Sequence, residues 1–268
     1  MTARADIAYL VGSDNRIEIL RALRERSFGP SELASACSCA RETAHRNLSG
    51  FVERGWVERD DGRYRLTPGG EMVVEQYDRL ESTVAGADRL SRLLSHAPAS
   101  FGEIPVRTLS TVRLETATRE NPHAPVDRFR SVLGTEEVTR FRGITPMVSP
   151  VFNEAASAVL ASDTDAELVI DESVLEVSEA QYPDALSEAF DLDGFTLLLA
   201  SGSLDYGLML VDGRALVSVH DDAGAVVASV DGDEDEFVDW VSKLYADERE
   251  RARELDPSVL DSGVGGAT

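Results

Sequence analysis

Three features of the sequence predict an α/β chain, α+β overall, built in two parts. Residues 38–66 read as a helix leading into a two-stranded hairpin. Short helices fill the stretch before them. Beyond about residue 104, short apolar strands alternate with helices and end in a three-strand meander, the pattern of an α/β domain around a mixed sheet.

The first part can be justified element by element. Residues 4–11 suit a short opening helix, and Ser13 can cap a second whose apolar face is Ile17, Ile19, Leu20 and Leu23. Gly29-Pro30 interrupts, and Ser31 to Ala36 begins a third. The next helix starts at Ser38 or Cys39. At about 100 degrees per residue, Ala40, Ala44, Leu48, Phe51 and Val52 share one arc. Glu42, Thr43, His45, Arg46 and Ser49 lie mostly opposite, while Arg41 sits at the margin in the first turn. Gly55 suits the left-handed residue that closes a helix. Trp56 to Arg59, the turn Asp60-Asp61-Gly62, and Arg63 to Leu66 then form a hairpin. Helix, helix, helix, hairpin is the order of a winged helix-turn-helix, expected over residues 1–72.

Residues 73–103 read as a connecting helix and linker. Thr67 is a natural cap and Pro68 suits the first helical position, with the helix running to about His96 and stopped by Pro98. Val73, Tyr77, Leu80, Val84 and Ala87 give it a coiled-coil-like seam, which Gly86 weakens. The seam suits a dimerisation or interdomain helix; packing on its own domain is the alternative. A homodimer would set two such groove-entering helices about one DNA turn apart, roughly 34 Å, or a multiple of it.

Residues 104–255 carry the α/β pattern. Strands are expected at 112–116, 138–144, 167–170 and 195–200, and helices at 126–133, from Ser149-Pro150, and at 178–190. The meander covers 206–211, 215–219 and 225–230, with turns at Asp212-Gly213 and 222–224. A helix from about Asp235 to Arg253 closes the domain through Phe237, Trp240, Val241, Leu244 and Tyr245. Residues 256–268 read as a loosely held tail.

Composition narrows the partners. The net charge is -23, yet only Lys243 of the 26 basic residues is a lysine. Abundant carboxylates with scarce lysine suit a protein kept soluble in concentrated salt. The charge is uneven: residues 1–80 hold 12 Arg against 13 Asp and Glu, a net of -1, which leaves -22 for residues 81–268. Phosphate contacts dominate nucleic-acid affinity, so the near-neutral first part is where duplex DNA is expected to bind. Two cysteines form no secreted disulfide framework, and no apolar run approaches the roughly 20 residues of a bilayer span. The expectation is a cytoplasmic protein with no membrane partner and no cofactor.

Residues 14–72 resemble archaeal winged-helix transcription regulators of the broad ArsR/MarR type. The resemblance rests on Asp14-Asn15-Arg16-Ile17 with Ile19-Leu20, on Ser31-Glu32-Leu33-Ala34, on Glu53-Arg54-Gly55-Trp56-Val57, and on Tyr64 to Gly70. Residues 104–253 resemble, more faintly, the C-terminal domain of an archaeal regulator family named for a methanogenesis regulator. Its carriers are Val148-Ser149-Pro150, Glu167 to Asp171, Leu210 to Gly213, and Trp240 to Tyr245. The resemblance implies a winged helix joined to a sensor-like domain, hence ligand-responsive regulation, and names no ligand.

Candidate site residues follow. Arg41, Thr43, His45 and Arg46 would enter a groove, and Arg59, Arg63 and Arg65 in the wing would touch backbone or minor groove. The competing reading is a solvated helix face and local ion pairs with Glu58, Asp60 or Asp61. Cys37 and Cys39 offer a metal- or redox-sensing alternative, set against a small core residue and a cap. For a small-molecule effector, Arg142, Thr145 and Ser149 lie where open α/β sheets bind ligands, with Ser201 and Ser203 converging; ordinary capping and turns are the alternative. No enzyme signature is present: His96, His123 and His220 are isolated, and Asp231 to Glu236 reads as a solvated acidic helix start. A third reading is an interaction adaptor whose winged helix has lost DNA.

Overall fold

The computed structural model describes residues 2–99, 101, 104–160 and 164–256. It divides into two compact units, Met1–Ser82 and Thr83–Thr268. The division falls inside a helix, in the stretch where the sequence suggested a separate connecting segment over 73–103. The tail expected at 256–268 lies, but for its first residue, outside the described residues.

The first unit is four helices and a hairpin: α1 (Ala3–Val11), α2 (Asp14–Glu25), α3 (Pro30–Ala36), α4 (Arg41–Glu53), β1 (Val57–Asp60) and β2 (Arg63–Leu66), followed by α5 (Pro68–Arg89). Phe28 adds a third short pairing, exchanging backbone hydrogen bonds with Tyr64 at 2.8 and 3.0 Å. This is the winged helix-turn-helix arrangement. Asp61 and Gly62 both have positive φ, the twist that a two-residue hairpin loop needs. The core is Ile19, Leu20, Leu33, Leu48, Phe51, Val57 and Val74, each at most 2% exposed. Burying each such side chain contributes roughly 1.5–3 kcal/mol.

Three local expectations in this unit change. α4 begins at Arg41 rather than at Ser38 or Cys39, because Ser38 takes a positive φ of 50° and breaks the helical run. Ala40 is its N-cap and supplies no side-chain bond, so Cys39 is not a cap. Val52 is 42% exposed, whereas Asn47 is buried. The apolar arc is therefore narrower than the sequence suggested and has a polar residue at its edge.

The second unit holds one eight-stranded mixed sheet. Its elements are the end of α5, α6 (Ser91–Leu94), a 3-10 turn (Val106–Ser110), β3 (Arg113–Thr116), α7 (Ala124–Leu133), β4 (Arg140–Thr145), α8 (Pro150–Ser157), β5 (Asp165–Ile170), α9 (Glu172–Gln181) and α10 (Pro183–Phe190). They continue through β6 (Phe195–Leu199), β7 (Tyr206–Val211), β8 (Arg214–His220), β9 (Val226–Gly232), α11 (Asp235–Arg251) and β10 (Arg253–Glu254). The strand order is β10-β6-β5-β4-β7-β8-β9-β3. β4, β5 and β6 run parallel, joined by crossovers through α8 and then α9 and α10; the other pairings are antiparallel.

Alternation along the strands assigns the two faces. Ile144, Val169, Leu198, Val217 and Val219 pack with α11 and with Leu90, Leu93 and Phe101. Phe141, Met209, Val211 and Leu216 face the other way, in one cluster with Phe129 of α7 and Ala155 of α8. Ile170, Leu197 and Leu199 share that side with residues of α9 and α10.

Here too the structure amends the sequence. α5 stops at Arg89, seven residues before the expected His96. The single helix expected at 178–190 is two, because Asp171 caps α9 by accepting from the Val174 amide at 3.0 Å and Pro183 starts α10. Asp231 is not a solvated start of α11; it is 2% exposed and accepts a bidentate pair of bonds from Arg128. β10, too short to carry a pattern, pairs with β6.

Candidate nucleic-acid interface and ligand cavity

α4 presents two different faces. Ala44, Leu48 and Phe51 hold it to α2, α3 and the hairpin. Its outer face carries Arg41, Glu42, His45, Arg46 and Ser49, all exposed, with Thr43 half-buried beside them. Among the described residues, Arg41, His45 and Arg46 have no hydrogen-bond or ion-pair partner. Arg46 also lines a shallow recess with Tyr9, Arg16, Asn47 and Arg54. Arg54 is committed elsewhere: it pairs with Asp6 at 3.0 Å, donates to Gly50 O at 2.9 Å and stacks on Tyr9. Arg16 likewise stacks on Tyr9 and donates to its carbonyl. Sequence reasoning missed this recess, because its residues come from three separate elements, α1, α2 and α4.

The wing arginines divide. Arg59 is exposed and contacts only the Tyr64 ring, 5.7 Å from its centre. Arg65 pairs with Glu58 at 2.7 Å, the local ion pair that competed with a DNA role. Arg63 pairs with Glu32 at 2.9 Å and donates to the Ser27 carbonyl at 2.7 Å, tying the wing to α3. Gly29 N–H and Arg63 together hold the Glu32 carboxyl below its usual range.

Cys37 and Cys39 are half-buried against the unit's core. The Cys37 thiol donates to Glu18 O at 3.7 Å, and burial pushes its pKa up, away from the thiolate that binds metal. Among the described residues, no group of three or more His, Cys, Asp or Glu side chains is placed to hold a metal ion.

The second unit encloses a cavity of about 490 Å³. It lies on the sheet face roofed by α7, α8, α9 and α10, and is lined mainly by apolar side chains such as Phe129, Phe141, Phe152, Leu168 and Phe195. Gly143 and Gly207 lie on its floor. A Cβ on Gly143 would come within 2.8 Å of Leu168 Cδ1, and one on Gly207 within 2.6 Å of Ser218 Oγ. Glycine there keeps the floor open.

Of the five ligand candidates, only Thr145 lines this cavity, and its hydroxyl donates to Met147 O at 2.8 Å. Ser149 is the N-cap position of α8 without a side-chain bond, and lies outside the lining. Ser201 and Ser203 are exposed on the loop after β6, and neither lines the cavity. Arg142 lies outside the lining, since by alternation it projects from the opposite face of β4 to Phe141 and Gly143. There it binds Asp165 at 2.6 Å and lies 3.4 Å from Glu167, which also receives Tyr245 and Arg249. The Arg249 bonds, with those of Tyr245 and the charge of Arg142, hold the Glu167 carboxyl down to about 2.

The sequence reading set aside His220, which turns out to line the cavity. Burial lowers its pKa to about 4, so the imidazole is neutral at pH 7. Its Nδ1 has no hydrogen-bond partner, a deficit worth roughly 1–3 kcal/mol in a buried site. An alternating strand pattern placed His220 on a face, but no sequence signal marked that face as hollow.

Residues 4–89 match the HVO_A0261 N-terminal domain family, and residues 122–251 match the middle domain of the methanogenesis regulatory protein FilR1. No curated protein matches the chain. Among solved structures, the chain is similar to TrmBL2, an archaeal chromatin protein whose structure shows a novel mode of DNA binding. The identity is 13% and the TM-score 0.41, over 90% of this chain and 92% of that one. It is also similar to a polyphosphate kinase from Porphyromonas gingivalis, at 14% identity and a TM-score of 0.40, over 64% of this chain and 29% of the kinase. The methyltransferase SibL follows at 19% identity and a TM-score of 0.24, over 70% and 60%. With TM-scores this low, these likenesses carry no argument about function. The domain matches bear on it: a domain of a regulatory protein joined to the first family's domain supports a transcription regulator in general terms.

Proposed function

We propose that the chain is a sequence-specific, DNA-binding transcription regulator of the archaeal winged-helix kind, acting as a cytoplasmic homodimer and responding to a small molecule. Residues 1–72 are its DNA-binding domain, 73–103 its connecting segment and 104–255 its sensor domain. The observation that carries DNA binding is the outer face of α4, where Arg41, His45 and Arg46 stand exposed without partners. A guanidinium already paired to a carboxylate must give up that pair before it can meet a phosphate or a guanine edge; these do not. Thr43 completes the face, and Arg59 is the wing residue most available to the backbone. Arg63 and Arg65 reach DNA only by exchanging Glu32 and Glu58 for phosphate.

Dimerisation is supported by Leu80 and Val84, which are 54% and 62% exposed on α5 along the seam that the spacing indicated. Selection from a random duplex pool in molar KCl tests the whole reading. The expected result is a two-fold symmetric motif with half-sites one or more turns apart. Recovery of no enriched sequence at any salt would leave the adaptor reading standing instead.

A further inference from the structure

We infer that the cavity of the second unit is a binding site for an uncharged, mainly apolar, drug-sized molecule that packs against the His220 ring. The inference deepens the proposed ligand response and rests on that reading. Sequence logic pointed instead to an anion, through Arg142 and the start of α8, but neither Arg142 nor Ser149 lines this cavity. No arginine or lysine lines the cavity among the described residues, and Arg142 is turned to the other face of the sheet. The only carboxylates among the lining residues, Glu154 and Glu188, are exposed, and they disfavour a negative charge further.

Much of the polar lining is already committed within the fold. Thr145 donates to Met147 O, Ser178 to Val174 O at 2.8 Å, and Ser218 to Gly207 O at 3.5 Å, so these hydroxyl protons are already placed. His220 lines the cavity as a neutral ring whose Nδ1 is shut off from the open space. A volume of about 490 Å³ suits a ligand of two or three fused or linked rings.

The test uses two fluorophores with one skeleton: uncharged N-phenyl-1-naphthylamine, and 8-anilinonaphthalene-1-sulfonate, which adds a negative charge. Each is titrated into the full chain in molar KCl, with Ala189→Trp, which fills the cavity from α10, as the variant. Saturable binding of one uncharged probe per chain is expected, at least tenfold tighter than the sulfonate and at least tenfold weaker in the variant. Equal or tighter binding of the sulfonate, or unchanged affinity in a folded variant, would overturn the site. If the variant does not fold, the ¹⁵N-edited signal of the His220 ring decides. It should move on addition of the uncharged probe to the wild-type chain, and a signal that stays put overturns the assignment. A duplex titration run alongside separates the two readings: probe binding without duplex binding removes the regulator and keeps the site, and the reverse removes only the site.

Discussion

Arginine serves two ends in this protein. In the second unit Arg128 grips Asp231, while Arg142 and Arg249 close on Glu167, all with carboxylates that are little exposed. In the first unit Arg41 and Arg46 stand on the outer face of α4 with nothing to neutralise them. An arginine left without a carboxylate keeps its guanidinium free for an outside anion. Paired arginines hold a fold together; unpaired ones on a helix before a wing are placed to meet phosphate.

The contrast can be broken most severely at Arg128. Replacing it with alanine leaves Asp231 buried with only Arg214, 3.7 Å away, to face it. A loss of about 3–5 kcal/mol is expected. Thermal unfolding followed by the Trp240 signal should show it, and a change below about 1 kcal/mol would mean the pair is dispensable. Acid should act on the same unit. His220 is held near 4 against an ordinary value of 6.5, so the unfolded chain gains a proton that the fold refuses as pH falls from 6.5 to 4. Asp221 opposes this weakly. Stability is complete above pH 6.5 and should drop on the order of 2–3 kcal/mol by pH 4. Glu167 extends the loss between 4.5 and about 2. His220→Phe should flatten the first part of the curve, and an unchanged slope would remove His220 as its source.

On the DNA side, Arg46→Ala should weaken specific duplex binding by about 1–3 kcal/mol per half-site, close to the non-specific level, without changing the melting temperature. Retained specificity at matched salt would contradict a reading role. Arg63→Ala should do least: roughly 1 kcal/mol or below, felt equally on all sequences, because its guanidinium already serves Glu32 and Ser27. A loss as large as that of Arg46 would show that the wing lets go of α3 when it meets DNA.

How much of this was legible in the sequence follows from the range of each interaction. The helices and hairpin of the first unit are set by local patterning, so Ile17 to Leu23 and Asp61-Gly62 could be read directly. The strands of the second unit were legible by alternation, but their order was not, since β10-β6-β5-β4 joins segments distant in the chain. The same limit decided the candidate residues. Arg46 lies on a face that a helical wheel shows, whereas the fate of Arg142 depends on Glu167, Tyr245 and Arg249, which no spacing rule brings near it. Likewise, the cavity arises where helices from four separate segments meet one sheet face, and His220 gave no hint of it.

The central claim is that the arginines without partners, and not the paired ones, meet the duplex. It is tested most directly by observing the arginine Nε signals of the ¹⁵N-labelled chain while a selected duplex is added. Arg41 and Arg46 should shift and broaden at one equivalent of half-site, while Arg128, Arg142 and Arg249 stay fixed. Movement of the paired set with Arg41 and Arg46 unaffected would contradict the account.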